Sequence, residues 1–360
     1  MATKICELCL SPDLGGLELY MMRASRYLGD ECISVVNSQG KLKSYYEDSS
    51  DRFFTLKRRV LLSWLSARSL AKIIDEEKID VIHVHWTKDL PLAVTAKLLS
   101  KRKPKVVQSR HMTMTRFKDD FYHRFLYQNI DVMLAVTHQV KAQIEKFIPS
   151  DIRPNTEVLY IGSEQPARIT PQEKRERREQ LGLNDSFTVG IVGRIELPKG
   201  QHILLEAVKS LSTSMDTKAL IVGHAMDEGY LQRLQHEYAD IALFTGFTRE
   251  AQVMMQLCDV IVLATENETF GLVLIEAMMC GVCVVASRSG GPLEIIDDEI
   301  NGLLFKTFDT ADLAEKLRFL YQNSDTREKF AEAGRAKALE KFEDQKQFTE
   351  LKSVLENLCG

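Results

Sequence analysis

The segment Thr265-Glu266-Asn267-Glu268-Thr269-Phe270-Gly271-Leu272-Val273-Leu274-Ile275-Glu276-Ala277-Met278-Met279-Cys280-Gly281 holds the densest chemistry of the chain. Its apolar run reads as a short helix from Phe270 to Met279, ended by Gly281. The first turn of such a helix, Phe270, Gly271, Leu272 and Val273, has backbone N–H groups without intrahelical partners, which suit an anion. Gly271 has no side chain to hold a ligand off. Glu268 in the loop before the helix and Glu276 in its second turn can point into one cavity. Carboxylates so placed accept hydrogen bonds from sugar hydroxyls. Taken alone, a capping Glu268 and a surface Glu276 explain the pattern equally well.

A second cluster changes that balance. The apolar run Val189–Val192 leads into Gly193-Arg194-Ile195-Glu196-Leu197-Pro198-Lys199-Gly200, with a helix Gln201–Lys209 directly after. An arginine fork at a strand's carboxyl end and a compact lysine charge before a helix are suited to gripping a diphosphate. Further on, Ser289-Gly290-Gly291-Pro292-Leu293-Glu294 makes a turn whose glycines can offer backbone N–H groups, although a plain tight turn explains them nearly as well. Near the start, Pro12-Asp13-Leu14-Gly15-Gly16 closes one strand and opens a helix. It is too short for a G-x-G-x-x-G dinucleotide fingerprint.

These loops need strands to position them. Short apolar runs alternate with helical patterns throughout, the signature of βα units and parallel sheets. Strands are expected near Ile5–Leu10, Cys32–Asn37, Val81–His85, Lys105–Ser109, Val132–Val136 and Val158–Tyr160. After a polar stretch, Gly162–Pro171, the pattern restarts with strands near Thr188–Val192, Ala219–Val222, Leu243–Thr245, Val260–Leu263, Cys283–Ala286 and Leu303–Phe305. Helices are expected at Gly16–Tyr27, Val60–Asp75 and Val140–Phe147 in the first half. The expectation is an α/β chain of two doubly wound, Rossmann-like domains, 1–165 and 166–344, facing each other across a cleft. Residues 345–360 would form a helix returning to the first.

The composition fits. The chain has 360 residues, 44% hydrophobic, and a net charge of −4, which argues against a nucleic-acid partner. Seven cysteines in a long chain read as reduced thiols. The C-x-x-C spacings Cys6/Cys9 and Cys280/Cys283 are expected to be small core residues rather than metal ligands. The beginning lacks a signal-peptide pattern and no stretch spans a membrane, so a cytoplasmic protein is expected. Charge is uneven: 1–165 carry 25 basic and 20 acidic side chains, the remainder 22 and 31. The sharpest basic cluster, Lys97, Lys101, Arg102, Lys103 and Lys105, is either a solvated loop or a peripheral contact for anionic membrane lipids or an anionic acceptor.

Together, Gly15-Gly16, Gly193-Arg194 with Lys199-Gly200, the Glu268…Glu276 pair spaced E-x7-E, and Gly290-Gly291-Pro292-Leu293-Glu294 resemble a retaining glycosyltransferase of family 4 with the GT-B fold. The resemblance spans nearly the whole chain, and its motifs are most specific in the C-terminal half. It implies that Arg194 and Lys199 bind the donor diphosphate and Glu276 the ribose. It implies that Glu268 holds hydroxyls of the transferred sugar, that the N–H groups of Phe270 to Val273 complete the donor cradle, and that Gly16 lets the phosphates approach. His111 matches a histidine lining the sugar site, with a surface histidine as the alternative; His83 and His85 rank below it. The chain departs from the family pattern at Tyr160-Ile161-Gly162-Ser163, where Asn-Gly is usual, and at Cys283, where proline is common.

The implied reaction moves a sugar from a nucleotide-diphosphate donor, with UDP or GDP as the nucleotide, to a hydroxyl of a glycan or lipid-linked acceptor, in cell-surface polysaccharide or lipopolysaccharide synthesis. No D-x-D metal loop is evident, so Arg194, Lys199 and the helix tip are expected to neutralise the leaving diphosphate without a metal or cofactor. The rival readings are a nucleotide-sugar 2-epimerase of the same fold and a non-catalytic nucleotide-sugar-binding partner. Nucleotide release only with acceptor present separates transfer from epimerisation.

Overall fold

The structure is a computed structural model that describes residues 2–57 and 63–359. The chain divides into two compact units, Met1–Gly162 with Asp344–Gly360, and Ser163–Glu343. The first carries a seven-stranded parallel sheet of β1 (Ile5–Cys9), β2 (Cys32–Asn37), β3 (Phe53–Leu56), β4 (Val81–Val84), β5 (Lys105–Arg110), β6 (Val132–Ala135) and β7 (Asn155–Val158), in the order β3-β2-β1-β4-β5-β6-β7. The second carries β8 (Phe187–Val192), β9 (Thr217–Val222), β10 (Ala242–Gly246), β11 (Val260–Leu263), β12 (Cys283–Ser287) and β13 (Leu303–Phe305), in the order β10-β9-β8-β11-β12-β13. Every residue of β1, β2, β4 and β6 is buried, as is usual for parallel strands covered on both faces. In the second unit Val189, Ile191, Ile221 and Val262 pack against Leu204 and Val208 of helix Gln201–Leu211.

In both sheets the strand order reverses beside the first strand: β1 lies between β2 and β4, and β8 between β9 and β11. Connections leaving two such neighbours diverge to opposite faces and open a crevice at the strands' carboxyl ends. The loops after β1, β5, β8, β11 and β12 carry Gly16, His111, Arg194 with Lys199, Glu268, and Gly290 with Gly291.

Two edge strands differ from expectation. β3 was not anticipated, because Phe53–Leu56 is a short, half-exposed run between polar residues. β7 occupies Asn155–Val158 rather than Val158–Tyr160; its alternating exposed and half-buried residues suit an edge and leave little apolar signal. The helix expected at Val60–Asp75 is observed as Ser63–Glu76, and 60–62 lie outside the described residues.

The terminal helix Asp344–Asn357 packs within the first unit. The Phe348 ring lies 5.5 Å from that of Tyr20 and 5.6 Å from that of Tyr27. Arg23 pairs with Asp344 at 2.7 Å and Lys352 with Glu31 at 2.6 Å. All seven cysteines are free, and all but Cys359 are buried. Among the described residues no helix is long and apolar enough to cross a membrane.

Candidate active site

In the second unit, Lys199 ends a short 3-10 turn, Leu197–Lys199, and Gly200 follows with φ 73°. A Cβ on Gly200 would stand 2.5 Å from the Ala264 carbonyl oxygen, so this glycine presses the lysine loop against the end of β11. Lys199 Nζ consequently donates to Glu268 Oε2 at 3.2 Å. The two side chains are 26% and 19% exposed, so the pair borders solvent without being fully wet. Arg194 has other partners. Its half-exposed guanidinium pairs with Glu196 at 2.9 Å, and its carbonyl accepts from Gln201 Nε2 at 2.8 Å.

The Glu268 loop is pinned from β12. Ser287 and Ser289 hydroxyls donate to the carbonyls of Thr265 and Glu266, and the Gly291 N–H donates to the Glu268 carbonyl at 2.9 Å. A Cβ on Gly290 would lie 2.1 Å from that same oxygen, and one on Gly291 would lie 2.2 Å from the Phe270 carbonyl oxygen. This corrects the expected role of Gly291: its N–H is committed to the protein, and both glycines serve close backbone approach.

The helix begins at Leu272, two residues later than expected, because Gly271 adopts φ 101° and breaks the turn before it. The tip N–H groups are therefore those of Leu272 and Val273. A Cβ on Gly271 would meet Leu274, Leu263 and Ile295, so its bareness serves packing and a left-handed backbone. Phe270 is buried, with its ring 6.0 Å from that of Phe342. Glu276 lies half-buried in the second turn.

The loop after β9 also shapes this site. Gly223 has φ 149°, and a Cβ there would fall 1.8 Å from the Gly193 carbonyl oxygen. Gly193 N–H donates to Val222 and Ile195 N–H to His224, tying the arginine loop to β9. The readable signal was a glycine directly after an apolar strand.

In the first unit Gly16 opens helix Gly16–Leu28, with Gly15 as its N-cap. Behind it lies a buried polar cluster centred on Glu7, in the middle of β1. Glu7 and His83 are register partners on adjacent strands, and His85, two residues on, shares their face. Glu7 Oε1 lies 3.0 Å from His83 Nδ1, and Oε2 hydrogen-bonds His85 Nε2. His83 Nε2 reaches Ser109 Oγ at 2.8 Å, and His85 Nδ1 reaches His111 Nε2 at 3.4 Å. The His111 Nδ1 atom is buried without a partner among the described residues. Glu7, His83 and His85 offer atoms within 4.8 Å of one another, close enough for a metal ion, but carboxylate–imidazole hydrogen bonds already account for their arrangement.

Arg110 holds the loop that carries His111: Nε donates to the Met112 carbonyl at 2.8 Å and an Nη to that of Thr113 at 2.9 Å. The basic cluster is partly neutralised. Lys97 and Lys105 pair with Asp131 at 2.8 and 3.1 Å, Arg102 pairs with Asp80, and Lys103 caps the Leu98 carbonyl.

Residues 173–337 match the family model of the glycosyl transferases group 1, and residues 7–143 that of the glycosyl transferase 4-like family. Each half of the chain thus matches a glycosyltransferase model, and residues 173–337 belong to the glycosyl transferases group 1. This glycosyltransferase is 25% identical over 300 residues, 80% of its length and 77% of the relative's, to N-acetyl-alpha-D-glucosaminyl L-malate synthase of Bacillus anthracis. It is 23% identical over 342 residues, 89% of each chain, to the capsular polysaccharide biosynthesis glycosyltransferase CapM of Staphylococcus aureus. The crystal structure of Anabaena HepE in complex with UDP and glucose matches with a TM-score of 0.87 at 22% identity, covering 99% of this chain and 100% of that one. Sucrose-phosphate synthase from Thermosynechococcus elongatus matches with a TM-score of 0.78 at 17% identity, covering 99% of each chain. The fold is GT-B.

Burial and close contact perturb the ionisable groups of the glycosyltransferase's Glu7 cluster. Burial raises the Glu7 pKa, but the hydrogen bonds of His83 and His85, joined in acid by the charge of the protonated rings, outweigh it and hold the carboxyl at about 2. Burial, reinforced by the neighbouring His83, lowers His85 to about 4. Burial and then His85, His83 and Arg110 push His111 well below the usual histidine range. Glu7 is therefore ionised at neutral pH, while His85 and His111 are neutral.

Proposed function

We propose that this glycosyltransferase is a retaining, metal-independent hexosyltransferase that moves a sugar from a UDP-sugar to a hydroxyl of a glycan or lipid-linked acceptor in cell-envelope polysaccharide synthesis. The observation that carries the proposal is the partly exposed Lys199–Glu268 pair at the carboxyl edge of the second sheet, beside a helix tip. Lys199 and the N–H groups of Leu272 and Val273 receive the diphosphate's negative charge, and Arg194 joins them by leaving Glu196. Glu268 and Glu276 accept from sugar and ribose hydroxyls, and Gly16 and His111 belong to the donor and sugar surroundings. The names of CapM and of the UDP and glucose complex of HepE support a UDP-linked donor and a polysaccharide product.

In the proposed step the bond from the anomeric carbon to the diphosphate oxygen breaks, and its electron pair stays on the diphosphate. The acceptor oxygen forms its bond to the anomeric carbon on the same face, and its proton passes to a diphosphate oxygen. Charge thus accumulates where the cations are, so they stabilise the transition state more than the ground state.

A thermal-shift comparison of UDP-, GDP- and ADP-glucose is expected to show stabilisation by the UDP-sugar. Transfer is expected to persist in excess EDTA; complete loss restored by Mg2+ or Mn2+ rules out the metal-independent step. Free UDP accumulating without acceptor, or an epimerised donor, favours the rival chemistries. The acceptor side includes a peripheral contact of Lys97, Lys101, Arg102, Lys103 and Lys105 with anionic lipid. Because three of these five are paired with aspartates, the contact is expected to be weak and salt-sensitive. Binding to anionic vesicles that is unchanged when Lys101, Arg102 and Lys103 become serine removes this part of the proposal.

A further inference from the structure

We infer that Glu7, acting through His85, fixes the tautomer of His111 so that its Nδ1 is a hydrogen-bond acceptor for a hydroxyl of the bound sugar. The inference rests on the reading of His111 as a residue of the sugar site.

The protons can be counted along one line of contacts. A carboxylate only accepts, so the His85 nitrogen facing Glu7, Nε2, must carry a proton. A neutral imidazole has one N–H, which leaves His85 Nδ1 as an acceptor. The group facing it is His111 Nε2, 3.4 Å away, which must therefore donate. His111 Nδ1 is left bare, and this is the atom that is buried and has no partner among the described residues. An unsatisfied buried acceptor is costly, and a donor hydroxyl brought by a ligand repairs it.

The surroundings keep the rings aligned. Tyr20 sets its edge against both imidazoles, with centroids 5.7 Å from His85 and 5.4 Å from His111. His83 occupies the other Glu7 oxygen, so the carboxylate cannot swing away from His85 without losing a partner. Arg110 anchors the loop that follows His111. Glu7 and His85 are positioning residues; His111 is the group that meets substrate.

The test uses the whole protein labelled with 15N-histidine, in which two-bond 1H–15N correlations report the tautomer of each ring, the His111 signals being assigned with His111→Gln. The expected result is His111 protonated at Nε2 and bare at Nδ1. A proton on His111 Nδ1 overturns the inference; a metal ion held by Glu7, His83 and His85 would produce that outcome, because it would drive the His85 proton to Nδ1. His85→Gln can still donate to Glu7 but offers no acceptor at the same place. It is expected to shift the His111 Nε2–H resonance and to lower kcat/KM for the sugar donor about tenfold, an effect absent in a His111→Ala background. An unchanged resonance, or losses that simply add, overturns it. If His85→Gln does not fold, the wild-type tautomer still decides. Wild-type protein that shows the expected tautomer but transfers no sugar defeats the proposed function and leaves the proton count standing.

Discussion

Lys199 and Glu268 neutralise each other across 3.2 Å, and a pair this exposed adds little to stability. Lys199→Ala is therefore expected to leave the thermal midpoint nearly unchanged while lowering kcat by ~10²–10³, the usual cost of removing one preorganised donor to developing charge. Arg194→Ala should behave similarly, whereas Glu268→Gln should keep part of its activity; a sugar ester trapped on Glu268 would contradict its positioning role. Glu7 and His85 act on stability instead. Native His85 resists protonation down to about pH 4, while the unfolded ring takes a proton near 6.5, so the unfolded state binds more protons in that window. Its contribution is complete above pH 6.5 and is lost by pH 4. Glu7, held at about 2, adds a second loss as pH falls from the ordinary glutamate range toward 2. Urea midpoints measured from pH 8 to 4 should fall with pH, and His85→Gln should flatten the upper part of that decline.

At the level of elements, the site is assembled by glycines at strand ends. Gly200 and Gly182 both have positive φ, yet a Cβ at Gly182 meets nothing within 4 Å while one at Gly200 meets the Ala264 backbone. Gly182→Ala is thus expected to cost about 1 kcal/mol of backbone strain and no activity. Gly200→Ala must displace the Lys199 loop as well, so it should lower the thermal midpoint further and reduce transfer. Equal effects of the two in differential scanning calorimetry and turnover would show that the close approach has no role. The edge strands β3 and β7 were poorly legible because half-exposed strands lack a continuous apolar run, whereas the buried central strands were plain.

On the scale of the whole molecule, the chain leaves the first unit at Gly162 and rejoins it at Asp344, so that unit is completed only by the last segment of the chain. Phe348, Leu351 and Leu355 are all buried there. Leu351→Ala is expected to destabilise the first unit by ~2–5 kcal/mol. Both tryptophans, Trp64 and Trp86, lie in that unit, so intrinsic fluorescence reads it selectively. The fluorescence transition in urea should move to lower denaturant while the circular-dichroism signal of the second unit stays in place; a joint shift would mean that the two units unfold together.

The sequence by itself determined the alternating βα plan, the family and the short-range motifs, because Arg194 with Lys199 and Glu268 with Glu276 each lie within a single strand–loop–helix unit. Tertiary structure alone decided which of these side chains meet. Lys199 finds Glu268 because β8 and β11 are neighbours, and Glu7 finds His83 and His85 because β1 and β4 are. Strand order is set by how helices pack on both faces of a sheet, which no local spacing records. A trace of the second pairing was still present in the chain: an ionisable residue inside the buried run Ile5-Cys6-Glu7-Leu8-Cys9 requires a partner, though only the fold could say which.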